Sequence, residues 1–306
     1  VTLPAVSRIG ALADWWRALR PAQWSKNAVV AAAFLFAMGD RSQAIRLTAH
    51  ELGVVSLAVL AFCLVSSGIY LFNDIRDREA DRQHPDKQNR PIAAGRITVP
   101  AAGMVAVLLL AAGTGLAWWL APAFAQVIGA YILLQTVYTL GLKHVALVDI
   151  LVIATGFVLR AMAGAVVIGV TISPWLLLCA FLLALFLALC KRRHEKVVLA
   201  DDGGETRAAL VRYDAHLLDQ LIAICSAATI VCYAIYTLWP DTIRKFGTQA
   251  LGFTIPFVIF GIFRYLDLVY RHRKGDRPEM ILLRDLPLLV DLAAYGGVIL
   301  WIFLAR

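Results

Sequence analysis

Residues 51–95 read ELGVVSLAVLAFCLVSSGIYLFNDIRDREADRQHPDKQNRPIAAG. The first part is an apolar run long enough to cross, as a helix, a hydrocarbon core about 30 Å thick. Where it ends, Asn73, Asp74, Asp77 and Asp81 follow at spacings of one, three and four residues. On one helix those spacings set an amide and three carboxylates along a single stripe. Carboxylates at the mouth of a membrane helix are costly unless they pair or bind a cation. Four oxygen donors in line suit Mg2+, which prefers oxygen ligands and commonly reaches a diphosphate through them. The competing reading is a solvated helix exit with scattered charges. The regular Asp spacing and the basic loop that follows favour a site.

The rest of the chain has the same character as that apolar run. Of 306 residues, 60% are hydrophobic and only 16% charged, where a soluble domain carries about a quarter. The mean hydropathy of +0.74 agrees. The expected fold is an all-α integral membrane protein in one domain over 1–306, because no polar stretch is long enough for a second, soluble one. The opening VTLPAVSRIGALADWWRALR lacks the continuous apolar core of a signal peptide. Its Leu12, Trp15, Trp16 and Leu19 fall at helical spacing with Arg17 and Arg20 alongside, which predicts an interfacial helix ahead of the first span. The five cysteines, Cys63, Cys179, Cys190, Cys225 and Cys232, lie in or beside apolar segments without a CxxC or Cys/His cluster. Disulfide and zinc readings therefore have little support.

Apolar windows place nine spans near 22–40, 51–75, 99–121, 124–142, 146–169, 174–193, 216–239, 249–270 and 285–305. Of the lysines and arginines, 23 then fall with the N-terminus and the even-numbered loops, against 5 on the other side, and Arg160 is left within a span. The positive-inside rule predicts a cytoplasmic-membrane protein with its N-terminus and site in the cytoplasm and its C-terminus outside. The net charge of +8 is thus explained by topology, with no nucleic-acid partner. The same assignment gathers the Asp stripe, Lys143, the KRRHE run at 191–195 and the basic 264–284 segment on one face. Cations alone would follow from topology, but the carboxylates would not. The combination predicts a cavity for an anionic, metal-chelating substrate.

Several constellations feed that cavity. His84, Lys87 and Arg90 lie in HPDKQNRPIAAG, where Pro85 and Pro91 hold a loop and Gly95 permits a turn; the two cations suit phosphate oxygens. The first span opens RPAQWSKN, with Trp24 as an interface anchor and Lys26 and Asn27 one turn deeper, toward the cavity. Arg160, inside GFVLRAMAGAV, needs a counter-charge, for which a phosphate would serve; the alternative is a structural arginine bonded to helix carbonyls. Lys191, Arg192, Arg193, His194 and Glu195 end the sixth span as a candidate phosphate cluster, partly explained by the helix dipole. Asp201, Asp202, Asp214 and Asp219 do not repeat the first spacing and signal a second Mg2+ site only weakly, while Tyr213 offers a hydroxyl.

NDxxDxxxD, followed by a basic loop ending RPIAAG on a nine-span chain, resembles the UbiA superfamily of membrane prenyltransferases over nearly the whole sequence. The resemblance implies a UbiA-like bundle with Asn73, Asp74, Asp77 and Asp81 as metal ligands and the three aspartates as catalytic. In that family a second Asp-rich motif stands where this chain reads KRRHE. That departure, with RPxQWxKN, HPxKxxRPIAxG, LKH at 142–144 and LRAxAG at 159–164, resembles the decaprenyl-phosphate phosphoribosyltransferase branch. Its implied reaction joins a polyprenyl phosphate to phosphoribosyl pyrophosphate, releases pyrophosphate, and feeds arabinose donors for cell-wall glycans. Lys26, Asn27, Tyr70, His84, Lys87, Arg90, Lys143, Arg160, Lys191, Arg192 and Glu195 are then the substrate-binding candidates, with His144 and His194 as further phosphate ligands. Two alternatives stand beside it: a prenyltransferase acting from a prenyl diphosphate on an aromatic acceptor, and a transporter or lipid-binding protein. A homo-oligomer is compatible with all three.

Overall fold

The computed structural model describes residues 8–39, 48–85, 87–201, 213–271 and 284–304. Every regular element among them is a helix. The chain forms two compact units: Val1–Phe34, Leu47–Leu140 and Met162–Gly169 in the first, and Leu35–Arg46, Gly141–Ala161 and Val170–Arg306 in the second.

The first unit opens with α1 (Arg8–Leu19), a 3-10 turn (Pro21–Ala28) and the start of α2 (Val29–Met38). It continues through α3 (Ala49–Arg76), α4 (Arg78–Gln83), α5 (Val99–Leu120) and α6 (Pro122–Leu140). Thr48 caps α3, its hydroxyl accepting the Glu51 N–H at 3.3 Å, and Pro100 sits in the first turn of α5 where its missing N–H costs nothing. α3 packs mainly on α5. Helix α1 is the amphipathic element expected before the first span. It buries Ala18 with Trp15 and Leu19 against Leu71, Ile92 and Ile97, and leaves Leu12 72% and Trp16 60% exposed. The last residues of α7 (Val148–Val167) also belong to this unit. There a Cβ on Gly164 would lie 1.9 Å from the Val30 carbonyl oxygen, so the two backbones meet where no side chain fits.

The second unit holds the start of α7, then α8 (Pro174–Asp201), α9 (Ala215–Leu238), α10 (Pro240–Phe246), α11 (Ile255–Arg271) and α12 (Leu286–Leu304). Its core runs through Ile150, Phe186, Leu189, Leu218, Ile222, Tyr265 and Leu268. A smaller cluster around Tyr236, Phe246, Leu251 and Ile302 includes Tyr233, whose hydroxyl lies 2.7 Å from Thr254 Oγ1 and 3.0 Å from Tyr295.

Among the described residues, eight helices are long and apolar enough to cross a membrane, matching the second through ninth expected spans. The expected first span, 22–40, takes a different form. Its polar PAQWSKNA head winds as a 3-10 turn and only ten residues follow as α2. A 3-10 helix rises about 2.0 Å per residue against 1.5 Å for an α-helix, so the two together reach roughly 31 Å. That is still enough for one crossing.

Candidate active site

The expected single stripe of donors is built from two helices. α3 ends at Arg76 because Asp77 leaves helical dihedrals at φ −92°, ψ 7°, although its N–H still bonds the Asn73 carbonyl. The chain restarts as α4, and the Asp81 N–H closes on the Asp77 carbonyl at 2.8 Å. The break re-aims Asp81 so that both Asp74 and Asp81 are buried and meet one guanidinium. Arg90 Nη1 donates to Asp74 Oδ1 at 3.1 Å and to Asp81 Oδ2 at 2.6 Å.

A second guanidinium closes the cluster. Arg20 Nη2 donates to the same Asp74 Oδ1, and its carbon lies 5.0 Å above the Tyr70 ring. Arg20 adopts a left-handed backbone (φ 54°, ψ 57°), which turns the chain between α1 and the 3-10 helix. Sequence reasoning passed over Arg20 as a binding residue; the available signal was its place directly before Pro21 at the mouth of a span. Asn73 Oδ1 is buried and accepts no hydrogen bond.

These oxygens suit a hard divalent cation in donor type: one orphaned amide oxygen beside Asp74, Asp77 and Asp81. No group of three or more His, Cys, Asp or Glu side chains among the described residues is set at metal-holding spacing. The charge of Asp74 and Asp81 is met by Arg20 and Arg90 instead.

The loop after α4 is a chain of tight turns. Lys87 and Gln88 N–H groups bond the His84 carbonyl at 3.1 and 3.0 Å, the Ala94 N–H bonds Arg90 and the Ile97 N–H bonds Pro91. Gly95 supplies the left-handed residue at φ 75°. Arg82 holds the Ala93 carbonyl at 2.9 Å, and Arg96 grips both Asp14 oxygens at 3.0 Å, fastening the loop to α1. Arg90 thus projects from a braced frame, with His84 and Lys87 half-buried in the same loop.

One expectation at the first span, that for Asn27, needs correction. Asn27 is 0% exposed, and its amide donates to Cys63 Sγ at 3.3 Å and Ser66 Oγ at 3.2 Å, so it braces the span against α3 and does not face a cavity. The 3-10 winding is the cause: three residues per turn swing Asn27 inward while Lys26 stays half-buried. Trp24 is likewise a tie, its indole N–H on Ser67 Oγ at 3.0 Å, with Ser67 bonded on to the Leu19 carbonyl.

In the second unit, the run at 191–195 organises around a carboxylate the sequence had not marked. Arg192 Nε donates to Asp149 Oδ2 at 2.8 Å and Nη1 to Glu195 Oε2 at 2.6 Å. Tyr213 donates its hydroxyl proton to Asp149 Oδ1 at 2.6 Å and accepts the Leu147 N–H at 2.6 Å. Asp149 is 0% and Tyr213 2% exposed. Burial first, and the Asp149 carboxylate next, push the Tyr213 phenol far above the ordinary tyrosine range, so it stays protonated. Arg192, expected as a phosphate ligand, is therefore already enclosed between two carboxylates. Lys191 lies 3.9 Å from Glu195, and Lys143 and His144 form a short 3-10 turn ahead of Leu147. Arg193 pairs with Asp219 at 2.5 Å and stacks on Tyr270 at 3.9 Å.

Arg160 is buried, bonds its own helix at the Gly156 carbonyl (3.0 Å) and lies 5.3 Å from the Phe157 ring, which favours the structural alternative. Of the acidic residues beyond the run, Asp214 stands before α9 without a side-chain cap, and Asp202 lies outside the described residues with 272–283 of the basic segment.

A model of the UbiA prenyltransferase family matches residues 27–281. Decaprenyl-phosphate phosphoribosyltransferase of Mycolicibacterium smegmatis is 37% identical over 290 residues, 92% of this chain and 90% of that protein. The protein of the same name from Corynebacterium glutamicum is 38% identical over 275 residues, 88% of this chain and 80% of its own. In fold, the chain resembles a UbiA homolog from Archaeoglobus fulgidus bound to DMAPP and Mg2+, with a TM-score of 0.70 at 19% identity, covering 95% of this chain and 99% of that one.

Proposed function

We propose, from the premise that this chain belongs to the UbiA prenyltransferase family, that it transfers a 5-phosphoribosyl group from phosphoribosyl pyrophosphate to a polyprenyl phosphate such as decaprenyl phosphate, releasing pyrophosphate. The observation that carries the reading is identity of 37–38% to decaprenyl-phosphate phosphoribosyltransferases along about nine-tenths of the chain. The geometry agrees. One buried oxygen cluster with two guanidiniums suits a diphosphate.

Asn73, Asp74, Asp77 and Asp81 would hold the divalent cation, Mg2+ by their all-oxygen chemistry, and bound there it would neutralise charge on the diphosphate. Arg20 and Arg90 are the chain's own contribution. Their planar forks match diphosphate oxygens bidentately, and Arg90 comes from a loop whose turns leave it little freedom. In the transfer the ribosyl C1–O bond to pyrophosphate breaks and a C1–O bond to the lipid phosphate forms, its electron pair supplied by an anionic phosphate oxygen. No proton has to be removed from the acceptor, so the site needs no general base. Catalysis then rests on orientation and on stabilising the leaving group's charge. The spans and the one-sided charge support a cytoplasmic-membrane location with the site inside.

The test is to supply the purified protein with labelled phosphoribosyl pyrophosphate, decaprenyl phosphate and Mg2+. Labelled lipid and stoichiometric pyrophosphate are expected. Unlabelled lipid, together with turnover of a prenyl diphosphate on an aromatic acceptor, would overturn the reading in favour of conventional prenyl transfer.

A further inference from the structure

The second unit contains a buried polar cluster to which the transfer chemistry assigns no task. Asp149, at the start of α7, has one oxygen on Tyr213 and the other on Arg192. Tyr213 lies just before α9 and Arg192 near the end of α8, so one carboxylate gathers three elements. The phenol also accepts the Leu147 N–H, and Leu147 stands at φ 67°. A leucine in that left-handed region is disfavoured and persists only where its surroundings over-determine it. Here they do: the phenol holds its N–H, and the α7 helix starts on the next residue. The left-handed residue closes the connection that carries Lys143 and His144, and α8 carries Lys191 beside Arg192.

We propose that Tyr213 and Asp149 are positioning residues, a latch that holds Arg192 and the 142–147 connection in one arrangement so that the basic groups on those segments meet substrate phosphate. The proposal rests on the phosphoribosyl-transfer reading. Arg192 is unsuited to take a phosphate directly without leaving Asp149 buried and uncompensated. Its neighbours Lys143 and Lys191 are less enclosed and stand on the held segments. The latch therefore acts through them, and neither Tyr213 nor Asp149 touches the reacting atoms.

Tyr213→Phe keeps the ring and its packing and removes only the hydroxyl. In the full chain reconstituted in nanodiscs, the expected result is a KM for the polyprenyl phosphate acceptor raised about tenfold, the scale of one lost hydrogen bond. The kcat is expected to stay within about twofold, because no group at the reacting atoms has changed. Amide exchange at Leu147 is expected to quicken, since its N–H loses its acceptor. An unchanged KM, or a fall in kcat at constant KM, would overturn the proposal. Asp149→Asn, which keeps an oxygen for the phenol but removes the charge facing Arg192, is expected to shift KM in the same direction. The double variant is expected to be no worse than Asp149→Asn alone, and multiplicative effects would mean that the two residues do not act as one latch. Should the wild-type chain leave the lipid unlabelled, the functional reading fails; Leu147 exchange in Tyr213→Phe still decides the latch, with unaltered exchange counting against it.

Discussion

Two of the arginines that bridge a pair of carboxylates, Arg90 and Arg192, differ in what their pairs leave unfinished. In the first unit Arg90 joins Asp74 to Asp81, yet Asn73 Oδ1 beside them has no partner and Asp74 shares one oxygen between Arg90 and Arg20. In the second, Arg192 joins Asp149 to Glu195, and Tyr213 takes the remaining Asp149 oxygen. A buried polar group without a partner costs free energy and persists where something else meets it, whereas a saturated cluster resists exchange. On the proposed function the first arrangement receives a ligand, while the second, with both Asp149 oxygens taken, holds still.

That contrast can be broken at either end. The largest effect is expected from Asp149→Ala, which leaves Arg192 without its buried partner and should cost about 3–5 kcal/mol of stability in thermal or denaturant unfolding. A loss below about 1 kcal/mol would show that the second cluster is not a brace. Asp81→Asn should instead lower turnover by roughly two to three orders of magnitude, by removing charge at the diphosphate site. Its melting temperature should stay close to wild type, and a large drop would make the first cluster structural too. Asn73→Leu sharpens the difference. It removes an orphaned buried oxygen, so stability should hold or rise by about 1 kcal/mol while turnover falls at least tenfold; marked destabilisation would reveal a partner. Gly95→Ala has open space around its Cβ and only backbone strain to meet, so about 1–2 kcal/mol of destabilisation is expected, with a raised KM because Arg90 projects from the same loop.

How much of this was legible in the sequence follows from the range of each interaction. The spans from 51–75 onward were readable because bilayer thickness imposes one length on every crossing helix. The 73–81 donors were readable because they lie within nine residues of one another in a recurring pattern. Their arginine partners were less so. Arg90 stood in the same segment and was marked as a phosphate ligand, but Arg20 reaches Asp74 across 54 positions and only the fold brings them together. The Asp149–Tyr213 bond spans 64 positions and the Asp149–Arg192 bond 43. Only an acidic residue at the entrance of an apolar span gave notice of it. Asn27 misled for a local reason: an α-helical reading of PAQWSKNA aims it differently from the 3-10 turn that forms.

The shape of the first span carries a consequence for how the protein is made. Only the ten residues of α2 form an α-helix there, and the turn ahead of them contains Gln23, Lys26 and Asn27. A translocon that partitions segments by apolar length, about 20 residues for stable entry, would find this one a poor substrate by itself. Asn27 is met by Cys63 and Ser66 and the Trp24 indole by Ser67, all synthesised some 40 residues later on α3. The expected consequence is that this span enters lipid together with α3 rather than ahead of it.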